Sequence, residues 1–322
     1  MWASRAGPKA GRSPPVVLGQ PAEMIPLPQR GNFIMKNRSA LPLLVASLAI
    51  ALLAAWPPSP AKAQEGATQP LFSLDGGVNF TTAYYFRGAR QEDAGFIAQP
   101  YANLSLASFK VGGLTIGPSL GVWNSFHDQK GPIRSKHHYE LDLLGGVKIQ
   151  GLGPFILDLN YTYFNSPSNA FDDIHEAGFK VSYDDSALVK TIGFPFALNP
   201  YVSFAFETRD NAGTEDEYWE VGIAPSFKGE IAKIPFNLSV PVKVGMSLDS
   251  YYTDKKGRNE RLGYVSVASV VGFDLPAPKW AGKWSLSLRV EYLYLDAASL
   301  RNINDDREPS EVIGTVGLAV SF

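Results

Sequence analysis

Arg87, Lys148, Lys180, Lys243 and Arg289 stand with Glu140, Asp142, Asp158, Glu207, Glu220 and Glu291 at positions that alternate with apolar residues. In an extended chain alternate side chains share a face. These residues, with Lys228, Glu176 and Glu311 beside them, would therefore put both signs of charge on one surface. Two kinds of chemistry follow from such a surface. Opposed acidic and basic walls set a transverse field across a water-filled passage and select solutes by bore and charge. The same groups, paired with one another, can instead fill an interior. Neither sign dominates, so a weak cation preference at most is expected.

Other chemistry finds less support. Cysteine is absent, which excludes a thiolate nucleophile, a disulfide framework and a Cys-based metal site. The four histidines, His127, His137, His138 and His175, lie in or beside polar segments. A lipid hydrolase would need one of them as base, next to a Ser nucleophile and an orienting polar group. No recognised His and Ser motif surrounds them, and a solvated loop His is the plainer reading. His137 and His138 are adjacent and point to opposite faces of a strand, which disfavours a shared metal. Asp172 with Asp173, and Asp305 with Asp306, offer Ca²⁺ ligands, although solvated loop charge is the plainer reading. The run Lys255, Lys256, Arg258, Arg261 suits lipid phosphates. No phosphate-cradling Gly loop or nucleotide fingerprint is present. No cofactor and no metal are expected.

The elements that must position the charged face are strands. From Asp75 onward, segments of roughly ten residues alternate apolar and polar, the length of a tilted membrane-spanning strand. Trp284, Leu286, Leu288, Val290 and Tyr292 oppose Ser285, Ser287, Arg289 and Glu291. Twelve strands are expected, near 77–87, 96–108, 114–126, 138–149, 155–164, 175–184, 200–208, 217–228, 236–248, 263–274, 283–295 and 310–322. Their connections alternate in kind, as short inner turns and longer, polar outer loops do in membrane barrels. The charged set is 87–95, 127–137, 165–174, 208–216, 249–262 and 296–308. The shorter set is 109–113, 150–154, 229–235 and 275–283, with 185–199 an exception that calls for a short helix or a different strand count. Aromatics support two interfacial girdles: Tyr84, Phe86, Tyr163, Tyr183, Trp219, Tyr264 and Tyr292 outside, and Phe155, Phe227, Phe236, Phe273, Trp284 and Phe322 inside. A soluble β-sandwich also alternates, but it would leave the loop asymmetry and the N-terminal features unconnected.

Those features are a basic stretch (Lys36, Arg38), an apolar run from Ala40 to Trp56, and a Pro-rich end with small residues at Ala61 and Ala63. This is the layout of a signal peptide, with cleavage expected after Ala63. Residues 1–63 are thus read as extension and signal, 64–76 as a short periplasmic segment and 77–322 as barrel. No other apolar run approaches the roughly 20 residues of a membrane helix. Beyond Ala63 the chain carries 22 basic and 30 acidic residues, a net −8. That balance argues against a nucleic-acid partner.

The closing pattern Val316, Leu318, Val320, Phe322 resembles the carboxy-terminal signal of bacterial outer-membrane proteins, which implies recognition by the barrel-assembly machinery. The stretch Asn79, Phe80, Thr81, Thr82, Ala83, Tyr84, Tyr85, Phe86, Arg87, Gly88, Ala89, Arg90, Gln91 resembles the opening of the TorF-type porins. It departs from that pattern at Ala83, Tyr85 and Arg90. The expectation is an all-β, up-and-down transmembrane barrel with periplasmic termini, in contact with outer-membrane lipids and lipopolysaccharide. It would give passive diffusion to small polar solutes. A non-conducting surface or envelope-structural barrel, or an outer-membrane lipid hydrolase, are the alternatives.

Overall fold

Strict period-2 alternation demands a sheet with one greasy and one wet face, and a sheet of this size escapes the problem of exposed edges by closing on itself. The computed structural model describes residues 71–128, 137–194, 196–209, 216–231, 234–304 and 308–322. Ala61, Ala63, the whole signal region and Asp305–Asp306 lie outside them. In chain order the strands are β1 (Phe72–Thr81), β2 (Tyr84–Phe86), β3 (Ala89–Glu92), β4 (Ile97–Leu106), β5 (Phe109–Val111), β6 (Leu114–His127), β7 (His138–Leu152), β8 (Phe155–Asn165) and β9 (Ile174–Tyr183). There follow β10 (Tyr201–Arg209), β11 (Glu217–Ile223), β12 (Ser226–Ile231), β13 (Ile234–Ser239), β14 (Val242–Asp249), β15 (Leu262–Leu275), β16 (Lys283–Leu295) and β17 (Ser310–Ser321). Two short helices, α1 (Ser186–Thr191) and α2 (Ala298–Ile303), sit in connections.

Each strand of the wall pairs antiparallel with its chain neighbours, and β1 pairs with β17 to close the ring. β11 with β12 and β13 with β14 are each one stave interrupted once, so the barrel has twelve staves in up-and-down order. Both interruptions fall at a proline, Pro225 and Pro241, which has no N–H to give to a ladder. The two breaks lie side by side, the Val240 N–H donating to the Pro225 carbonyl at 2.9 Å and the Ala268 N–H to that of Pro241 at 2.9 Å. The inward and outward sets survive across them.

Register fixes which residues face out. Lys148 pairs Asp158, Asp158 pairs Lys180 and Lys180 pairs Ser203, so one wet row runs around the wall. The residues between point away from it and form an exposed apolar belt that includes Leu120, Leu143, Tyr161, Phe227, Val290, Val312 and Val316. On that side Phe179, Phe204, Phe206 and Trp219 stack in a continuous stripe. In water such a belt would be an aggregation site, and in hydrocarbon it is the solvated surface. A closed single-chain barrel of even strand number with this belt is a bacterial outer-membrane barrel.

Several expectations are corrected. The first stave is Phe72–Thr81, not 77–87, and residues 84–92 leave the wall. Tyr84 and Phe86 therefore belong to no girdle. Tyr264 points inward and is fully buried, and Tyr183, paired with Phe155, lies at the short-turn end. The unexplained segment 185–199 contains α1, which resolves the exception without altering the strand count.

Candidate functional site

Twelve strands spaced about 4.8 Å apart and tilted about 40° enclose a wall of radius about 12 Å, against about 8 Å for eight strands. Wall side chains just fill the smaller barrel. In the larger they leave an axial gap about 8 Å wide, and a twelve-stave interior is hollow unless something else enters it.

At the long-loop end something does. β2 and β3 form a hairpin whose turn is Arg87–Gly88, both at positive φ (48° and 80°). That is the turn geometry matching the twist of two short strands. Glycine is required at position 88, because a Cβ there would sit 2.8 Å from Leu300 and 3.0 Å from the Tyr264 ring. The hairpin packs against α2 and the loop residues Tyr251 and Tyr252. Together with Tyr218, Leu293, Leu295 and Ile313 of the wall they make the principal buried apolar cluster. The core of this barrel thus lies inside one end of its lumen.

Polar contacts fix the hairpin. The Arg87 guanidinium donates to both oxygens of Glu176, at 2.6 and 2.7 Å, and to the Tyr251 hydroxyl at 3.3 Å. Its Cζ lies 4.3 Å from the Tyr218 ring centre and 4.8 Å from that of Phe86. The backbone carbonyl of Arg87 accepts from the Tyr252 hydroxyl at 2.9 Å. Tyr84 donates to Glu140 (2.9 Å), Tyr85 to Asn304 (2.6 Å), and Tyr139 of the wall to Gln91 (2.5 Å). The side chains of Arg87 and Glu176 are only 15% and 5% exposed. A bidentate pair dehydrated to that degree is strong only while both partners stay.

Of the inward positions read from the sequence, Glu140, Asp142, Glu176 and Glu207 lie on staves at this end. Arg87 is inward as well, but it projects from the hairpin and not from a stave. Nearer mid-barrel, Glu220 accepts hydroxyls from Tyr201 (2.6 Å), Tyr218 (2.8 Å) and Tyr264 (2.9 Å), with Lys243 3.7 Å away. Arg289 donates to Glu291 at 2.7 Å, and Ser266 donates to the same carboxylate. Toward the short turns Lys148 faces Asp158 at 3.8 Å with its side chain 56% exposed, and Lys180 lies over the Tyr201 ring. Exposure of an inward lysine means that this half of the lumen is solvated. The wet face is therefore divided, paired and dry under the hairpin, open and polar beyond it.

One histidine is placed differently from a loop reading, while His137 is exposed in the connection before β7. His127 is buried, its Nε2 2.9 Å from the Ser125 Oγ, its ring stacked on Tyr139 and its Nδ1 3.9 Å from Glu92 of the hairpin. This has the residue types of a Ser–His–acid triad, and the i, i+2 spacing on one strand was the signal that sequence reading passed over. Ser125 has no exposed surface, and Glu92 lies beyond hydrogen-bond reach of the imidazole. The trio accordingly lacks a triad's geometry, and His127 instead meets the Tyr84 ring of the hairpin edge-on at 6.2 Å. His138 bonds Asn124 and stacks on Phe126, and His175 bonds Tyr161. Asp173 is taken up by Tyr163 and Asn165. In the basic loop, Asp254 accepts the Arg258 N–H (2.9 Å) and guanidinium (2.7 Å) and the Lys256 N–H (2.8 Å), which holds its carboxyl down at about 2 and removes Arg258 from the set free for lipid phosphates.

No protein-family model matches the sequence, and no curated protein matches it. Among solved structures the chain is similar to an outer membrane channel from Pseudomonas putida F1, at 10% identity and a TM-score of 0.43, covering 83% of this chain and all of that one. It is also similar to the NanC porin (12%, TM-score 0.38, 77% and 98% covered) and to the beta domain of the Bordetella autotransporter BrkA (12%, 0.38, 78% and 98%). At this similarity the barrel is defined by its own strand pairing.

Proposed function

We propose that the barrel is an outer-membrane channel for passive diffusion of small polar solutes, held closed at its long-loop end by the 84–92 hairpin. The observation that supports this reading is the division of the lumen. A solvated, charged half that includes Lys148, Asp158 and Lys180 leads to a plug made of one short hairpin and two loops, rather than to wall side chains that fill the bore. A purely structural barrel has no need of exposed lysines inside it. Selection would come from the bore and from the field of the paired charges at Glu220–Lys243 and Arg289–Glu291.

The test is single-channel recording of the mature chain, residues 64–322, in planar bilayers. Discrete steps, small and intermittent because the plug is native, are expected. A folded barrel that never conducts, even when the hairpin is removed, would leave the structural reading standing and discard the channel.

The same reading carries partners. Lipopolysaccharide and outer-membrane lipids would cover the apolar belt, and the barrel-assembly machinery would engage the closing strand through Val316, Leu318, Val320 and Phe322. Phe322→Ser removes the last outward aromatic and leaves the backbone pairing of Phe322 with Leu74 possible. A severalfold lower yield of heat-modifiable barrel in the outer membrane is expected, with unchanged refolding in detergent. Equal yields would remove that role from the strand.

A further inference from the structure

The hairpin closes the lumen with a cation, and the place that receives this cation belongs to the wall and a loop. Glu176 comes from β9, Tyr218 from β11, and Tyr251 from the segment after β14. Around the Arg87 guanidinium they supply a bidentate carboxylate at 2.6 and 2.7 Å, a ring face at 4.3 Å and a second ring centre at 5.4 Å. All three lie outside the hairpin, and the Tyr251 N–H also donates to the Ser247 Oγ of the wall at 3.0 Å. Withdrawing the hairpin would leave a carboxylate flanked by aromatic faces at the outer mouth of the barrel.

The surroundings are acidic beyond what Arg87 neutralises. On the long-loop side of Lys180, Lys243 and Arg289, the inward stave positions carry Glu140, Asp142, Glu176 and Glu311. Asp142 is itself more than nine-tenths buried, and its Oδ1 has no hydrogen-bond partner. A buried acceptor left unpaired beside further carboxylates calls for a cation, a donor or a proton of its own. The stacking faces decide which kind of cation. Aromatic rings favour planar, weakly hydrated ions over compact, strongly hydrated ones. Among the described residues no group of three or more metal-ligating side chains is gathered in a metal's geometry.

We infer that Glu176, Tyr218 and Tyr251 form a binding site for small guanidinium-type organic cations, which Arg87 occupies in cis, so that a soluble guanidinium compound competes with the hairpin for the outer mouth. This deepens the channel reading by naming a solute class, and it rests on that reading only for its consequence for transport, since binding is measured without current.

Arg87→Ala empties the site. Calorimetric titration of the refolded Arg87→Ala chain with methylguanidinium, at ionic strength held constant with sodium chloride, should show saturable binding at least about tenfold tighter than to the wild type, where the site is filled. Adding Glu176→Gln should weaken that binding by a further factor of at least about ten. No saturable binding to Arg87→Ala, or binding indifferent to Glu176→Gln, overturns the site. Should Arg87→Ala not refold, the wild type serves. Methylguanidinium, but not sodium, should then speed hydrogen exchange of the 84–92 amides, and equal exchange in both salts overturns the competition. Binding without any conductance would fault the channel reading alone, and conductance without binding would fault the site alone.

Discussion

Replacing residues 84–92 with a short Gly-Ser linker should raise single-channel conductance at least about fivefold and convert intermittent openings into a steady current. The expectation follows from the dimensions of the ring. Twelve staves leave an axial gap about 8 Å wide that their own side chains do not fill, and at the long-loop end the hairpin occupies it. Removing the hairpin also removes Arg87, the cation it presents to Glu176, and it exposes Glu140 and Asp142. The open variant should therefore prefer cations more strongly than the wild type. Reversal-potential measurements in a salt gradient would read that preference directly. An unchanged conductance would mean that α2 and Tyr251–Tyr252 seal the mouth by themselves, and the hairpin would lose its role as the closing element. The staves close without it, since β1 and β4 pair directly over their whole lengths, so the deletion variant is expected to remain a heat-modifiable barrel.

The wall was legible in the sequence because its signal is local. Every stave carries a period of two, and Trp284 through Glu291 reveals both faces by itself. Glu140, Asp142, Glu176 and Glu220 could be assigned inward for the same reason. The hairpin was hidden by that very regularity. Thr81 through Arg87 continues the alternation of β1 smoothly, so it reads as more stave, and the chain's departure after Thr81 depends on long-range contacts with Tyr252, Leu300 and Glu140. One local cue was available. Arg-Gly between two short alternating runs fits a two-residue turn with positive φ at both positions, and it argues for a hairpin over a straight strand. The partner of Arg87 had no such cue. Glu176 lies 89 residues away, and only closure of the barrel brings them together. The inward course of Tyr264 is hidden in the sequence for a related reason. An aromatic near a strand end suits an interfacial girdle or a buried plug contact equally, and Gly245, across the ladder from it, leaves the inward space that its ring fills. Burial of Ser125 and His127 likewise depends on the hairpin lying over them.

Glu176→Ala is the single substitution expected to open the mouth most completely. It leaves the Arg87 guanidinium in a nearly dry cluster without its counter-charge, a situation that typically costs about 3–5 kcal/mol. The hairpin can escape this cost by withdrawing into solvent, so the open fraction should rise by about two to four orders of magnitude, until other contacts limit it. Arg87→Met removes the other partner, and here the outcome differs in kind. Met retains apolar contact with Phe86 and Tyr218 and leaves the hairpin itself without a buried charge, so a smaller opening is expected. The double variant Arg87→Met/Glu176→Met then discriminates. If the pair acts as a latch only while both charges are present and is costly when broken, the doubly apolar barrel should close again to near wild-type open probability. A coupling energy of at least about 2 kcal/mol should appear in the cycle. Additive effects, with the double variant at least as open as Glu176→Ala, would show that the carboxylate holds the hairpin through contacts other than Arg87. The Tyr84–Glu140 and Tyr85–Asn304 hydrogen bonds would then be the next to remove. Salt gives an independent check on the same cycle. A pair only 15% and 5% exposed is poorly screened, so raising ionic strength should leave wild-type closure nearly unchanged, whereas a latch made of surface charge would loosen.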